Sequence, residues 1–227
     1  MLLPALISLV RGRTDERVRP WWDACTQGVT DPGKFLSLFA GAGRRLGSTP
    51  VSLSEAERTH LRGSPFSDVI GDARPLAELG RIVLLAKALD ELPEGEHLRL
   101  VEDVYRLGGH EEQIAVLRSL SILPGPERFV AIAADGVRTN AVDILAAIAC
   151  DNPYPARHFS FDAFNQLVMK VVFNNLPLAR VVGLPARTNA ELARMARDFA
   201  AERRAAARPV PSDLSVIAES SQPENQI

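Results

Sequence analysis

Between residues 151 and 170 a short stretch gathers Tyr154, His158, Asn165, Gln166 and Lys170. A phenol, an imidazole, two amides and an ammonium are the parts of a pocket for a small polar ligand. If that pocket did chemistry, His158 or Tyr154 would be the acid or base. The same residues have a second reading. The run DNPYPARHFS at 151–160 holds two prolines, so its backbone is rich in carbonyls and short of N–H groups. The amides of Asn165 and Gln166 would then tie down that backbone. An unpaired buried amide costs about 1–3 kcal/mol, so both readings require Asn165 to find a partner.

Arg138 and Asn140, in GVRTN at 136–140, are the second candidate. Asn140 is expected to cap the helix that follows, with Asp143 three residues on in capping-box spacing. Arg138 would project from the turn, where it holds either a carboxylate or phosphate of a ligand or an acid of this chain. Other constellations are incomplete. His158 and Asp162 are four apart, but no third metal ligand accompanies them. His110-Glu111-Glu112 lacks the second histidine of a zinc-protease helix, and neither a phosphate loop nor a nucleophile elbow is present. Cys25 and Cys150 sit among apolar neighbours and read as core thiols in a reducing, cytoplasmic compartment.

The elements that must position these residues are helices. Asp31-Pro32 is an N-cap with proline at the first helical position. Ser54 caps a short helix ending near Gly63. Pro75 opens a longer one, with Leu76, Leu79, Ile82, Val83, Ala86 and Leu89 on one face. Two helical hairpins of similar length follow, each introduced by a Leu-Pro pair at 92–93 and 123–124, with breaks at Gly108-Gly109 and Asp135-Gly136. Residues 151–160 form a stiff turn in which Asn152 and Tyr154 are extended before their prolines. The helix over 161–175 is apolar on many sides, with Phe161, Phe164, Leu167, Val168, Val171 and Val172 on a wide arc. Asn165 falls inside it, and Gln166 and Lys170 share a neighbouring stripe. No segment alternates long enough for a strand. Trp21-Trp22 cannot face one side of a helix, so one packs inside and the other lies at a groove or partner surface.

These elements predict an all-α single domain over residues 1–217. Its hairpins are expected to stack as in an α-solenoid of the HEAT or TPR kind, with residues 218–227 a disordered tail. The 227 residues are 46% apolar and 24% charged, as in ordinary globular proteins. A net charge of -2 gives no basic excess for nucleic acid. The N-terminal run MLLPALISLV is too short to span a bilayer and lacks the leading charge of a signal peptide. It reads as a helix docked on the body, with peripheral membrane contact as the alternative.

The run GVRTNAVDILAAIACDNPYPARHFSFDAFNQLVMKVVFNNLPLARVVGL, with the later TNAELARMARDFAAERRAAARPV, resembles the EboA family, most closely over residues 92–217. DNPYPA, the amide pair in FNQ with Lys170 after it, LARVVGL and NAELARM carry the resemblance. Members often have tryptophan where this chain has Phe164. The resemblance implies an all-helical protein without an established catalytic activity and without a cofactor. It implies partners encoded in the same gene cluster, among them a UbiA-like prenyltransferase and a TIM-barrel metal-dependent hydrolase. It places the chain in the making or export of a specialised metabolite. A family site would fall on Arg138, Asn140, Asn152, Tyr154, His158, Asn165, Gln166 and Lys170. The expected function is a non-catalytic scaffold or adaptor, or a metabolite-binding accessory protein. An enzyme acting on a small polar or phosphorylated metabolite and a peripheral carrier of a prenylated intermediate are the alternatives.

Overall fold

The computed structural model describes residues 2–27, 31–64, 66 and 73–218. The protein is all-α, with fourteen α-helices and one two-stranded antiparallel ladder among the described residues. The contacts divide into two compact units, Met1–Gly136 and Val137–Ile227. Apart from Ala218, which ends a helix, the expected tail at 218–227 lies outside the described residues.

In the first unit α5 (Leu76–Glu91) is buried on nearly every side. The expected apolar face is buried, and so are Leu84, Leu85 and Ala88. A helix that is apolar all round must be surrounded. It is: α1 (Leu2–Arg13), α2 (Arg19–Thr26), α3 (Pro32–Leu46), α6 (Glu94–Leu107) and α7 (His110–Ser119) all pack against it. In a solenoid each repeat touches only its neighbours in sequence. A helix at the hub of five others is a different arrangement, and the expected stacked hairpins find no support in it. Arg81 is the one buried charged side chain of α5, at 2% exposure, and it is answered by the Phe39 carbonyl at 3.2 Å and by Glu111 and Glu112.

The local signals of this unit hold. The N-terminal run forms α1 and buries Leu6 and Val10 against the body. Trp22 is fully buried and donates Nε1–H to the Ile7 carbonyl at 3.1 Å, while Trp21 stays half-buried under the Arg45 guanidinium. Asp31 caps α3 through the N–H groups of Gly33 and Lys34. Ser54 and Glu57 close a capping box on α4 (Glu55–Leu61), and the Arg13 guanidinium holds the Glu57 carboxyl down at about 2. The ladder of β1 (Pro50–Val51) and β2 (Arg74–Pro75) was not expected, because two residues are too few for alternation to show.

The expected break at Asp135-Gly136 does not form, since α8 (Val130–Arg138) runs through both residues. Gly136 is buried, and a Cβ there would meet Leu117 Cδ1 at 2.8 Å, so close packing rather than a turn accounts for this glycine. The last two residues of α8 belong to the second unit. That unit continues with α9 (Val142–Ala149), α10 (Tyr154–His158), α11 (Phe161–Phe173), α12 (Leu184–Arg187), α13 (Ala190–Ala205) and α14 (Ser215–Ala218). Helix α11 is its centre and packs against α9 and α13.

Candidate functional site

The proline turn was expected to hold Tyr154 extended. Instead Tyr154 begins α10, with Pro155 in the first turn, where its missing N–H has no helical acceptor to lose. Asp151 takes a positive φ of 51° and lets the chain reverse after α9. Asn152, 3% exposed, then fixes the corner: its Nδ2 donates to the Ala147 carbonyl at 2.9 Å and its Oδ1 accepts the Tyr154 N–H at 3.0 Å. Tyr154 is fully buried, its ring 4.6 Å from that of half-buried His158 and edge-on to Phe159. His158 ends α10 and Asp162 belongs to α11. The extended Phe159 and Ser160 between them remove the one-turn geometry a shared cation would need.

The carbonyls of the turn do receive a donor, but not the expected one. Arg187, at the end of α12, donates Nη1–H to the Ala156 carbonyl at 3.2 Å and Nη2–H to those of Phe159 and Ser160 at 2.8 and 2.9 Å. Its guanidinium also lies over the rings of Phe161 and Phe164, at 4.5 and 4.9 Å. Phe161 is nevertheless 58% exposed rather than part of the core. Asn165, 2% exposed, turns away from the proline turn and exchanges two amide bonds with Asn189, at 3.0 and 3.2 Å. Asn189 caps α13 by accepting the Leu192 N–H at 3.0 Å. The need of Asn165 for a partner was thus foreseen, but the partner was not.

The expected cap at Asn140 does not form either. Ala141 is the N-cap of α9, Thr139 Oγ1 accepts the Ala141 N–H at 3.1 Å, and Asp143 accepts the N–H of Ile144 instead of closing a box. Asn140 is left exposed in the bend. Arg138 ends α8 rather than projecting from a turn, and among the described residues its exposed guanidinium makes no hydrogen bond or ion pair.

Three of the eight candidates do meet. Arg138, Gln166 and Lys170 line an open groove of about 670 Å³ together with Val137, Met169, Phe173 and Phe199. Lys170 Nζ donates to the Thr139 carbonyl at 2.7 Å, which fixes the ammonium at the end of α8. Gln166 is exposed and makes no hydrogen bond among the described residues. Phe173 is 74% exposed and Phe199, on α13, is half-buried. Among the described residues no acidic side chain lines the groove. The arrangement offers two cations and an amide beside an apolar wall. Asn140, Asn152, Tyr154, His158 and Asn165 are not among the lining residues.

Met169 and Phe173 carried a readable signal. With Gln166 and Lys170 they form an i, i+3, i+4, i+7 stripe opposite the buried face of α11. Phe199, from another helix, carried none. Among the described residues no group of three or more His, Cys, Asp or Glu is placed to hold a metal ion. Nor is any helix among them long and apolar enough to cross a membrane.

Fold and groove together define an all-helical protein with an open amphipathic cleft along one helix. The chain belongs to the EboA family, described as metabolite traffic protein EboA, whose model matches residues 6–219. The match runs well beyond 92–217 and takes in most of the first ninety residues, which had shown little resemblance. No curated protein and no solved structure matches the chain.

Proposed function

We propose that this protein is a non-catalytic, metabolite-binding accessory protein of the cytoplasm that holds a small molecule in the groove along α11 for a partner. The observation that carries this reading is the convergence of Arg138, Gln166 and Lys170 on a cleft walled by Met169, Phe173 and Phe199. Its volume of about 670 Å³ is that of a small-molecule site. The family description, metabolite traffic, agrees with it. Both cysteines are buried and neither forms a disulfide among the described residues, which suits a reducing compartment. An acid/base enzyme is less favoured, because Tyr154 is fully buried and neither it nor His158 lines the cleft. The partners would be enzymes of the prenyltransferase and hydrolase kinds that the family resemblance implies.

Native mass spectrometry of the gently purified protein tests this reading. A small bound mass is expected on the wild-type chain and should be lost in Phe173→Ser. A bare wild-type chain that instead captures a partner enzyme in fixed ratio would replace metabolite binding by the adaptor reading, which the exposure of Phe173 also favours.

A further inference from the structure

We propose that the groove selects anionic amphiphiles: small molecules with one carboxylate, sulfonate or phosphate group joined to a flat or extended apolar body. The inference rests on the groove being a ligand site and goes on to name the ligand class.

The charge of the site is one-sided. Arg138 and Lys170 line it, and among the described residues no Asp or Glu does. Elsewhere in this unit Arg194 is paired with Glu191 and Asp198, and Arg180 with Asp151. Arg138 has no such acid among the described residues. Lys170 donates one N–H to the Thr139 carbonyl, which leaves two donors for other partners. A guanidinium that no described residue engages, lining the same groove as an anchored ammonium, is a complement for an oxyanion.

The apolar side is equally specific. On α11 the cationic and amide residues alternate with Met169 and Phe173 along one stripe. Phe173 keeps most of its ring in water, where covering it would be favourable by about 25 cal/mol per Å². Phe199, from α13, also lines the groove and adds a second aromatic side chain to its apolar wall. A bare inorganic anion would leave both rings wet, and a neutral hydrocarbon would leave Arg138 unanswered. A molecule that carries both parts satisfies both.

Fluorescence titration with two related probes tests this. One is 8-anilinonaphthalene-1-sulfonate, which is anionic; the other is N-phenyl-1-naphthylamine, which shares its aromatic body without the charge. Arg138→Gln is expected to weaken binding of the sulfonate about fivefold to tenfold and leave the neutral probe within about twofold. Phe173→Ser is expected to weaken both. If Phe173→Ser weakens both but Arg138→Gln spares the sulfonate, or affects the two alike, the anion selectivity is wrong and the groove remains a binding site. If Phe173→Ser weakens neither probe, the groove is not their site, and the proposed function fails with the inference. Both substitutions fall on exposed side chains, so loss of folding does not confound the reading.

Discussion

The proline turn at 151–160 and the groove along α11 lie in the same unit and draw on the same kinds of side chain. In and around the turn the buried polar groups are paired within the chain. Asn152 closes the corner, Arg187 takes up three carbonyls, and Asn165 and Asn189 satisfy each other. In the groove Arg138 and Gln166 reach solvent without a partner among the described residues, beside a largely exposed phenylalanine. Residue type does not distinguish the two regions, since amides and cations occur in both. Saturation does. A buried donor must be paired within the chain, whereas a donor left open at a concave surface is available to something else.

The largest effect should come from breaking the turn. Arg187→Ala removes three charge-assisted hydrogen bonds and two ring contacts, and is expected to cost about 3 kcal/mol in urea unfolding. Probe binding by the remaining folded protein should be unchanged, and a loss there would show that the two regions are not separate. Asn189→Ala comes next, at about 2 kcal/mol, because it removes the cap of α13 and leaves Asn165 unpaired. Asn165→Ala should cost less, about 1 kcal/mol, as the cap survives. In the double variant the two losses should fall short of their sum, and strict additivity would deny the amide exchange. Gly183 has a φ of 76°, and a Cβ there would meet Ala156 Cβ at 2.7 Å, against the turn. Gly183→Ala is expected to cost about 1 kcal/mol, seen as a lower urea midpoint at constant slope. The smallest effect belongs to the groove: Arg138→Gln should leave stability within about 0.5 kcal/mol while weakening the anionic probe. A large loss of stability there would mean that Arg138 is structural after all.

Much of the helical framework was legible from short-range rules. Asp31-Pro32 and Ser54 announce their caps within four residues, and the width of the apolar arc on α11 places it at the centre of its unit. Where a signal depended on a competitor, it misled. Asn140 offered a cap, but the helix starts two residues later behind Ala141, and Thr139 serves the bend. Asp135-Gly136 looked like a break, but Gly136 is a small residue inside a continuous helix. Pro155 looked like a barrier, but it falls in the one turn of a helix that tolerates it.

The sequence by itself determined an all-helical chain, its family resemblance, the burial of Asn165, and the stripe that carries Gln166 and Lys170. These follow from periodicity and local hydrogen-bonding need, which act over a turn or two of helix. Which donor reaches the carbonyls of the proline turn was decided only by the tertiary structure. Arg187 stands 27 to 31 positions from them, and nothing local marks it. The pairing of Asn165 with Asn189, 24 positions away, and the meeting of Arg138, Phe173 and Phe199 at one cleft were decided in the same way. Such contacts depend on how whole helices pack, and side-chain periodicity within one helix carries no record of what the next will bring to its face.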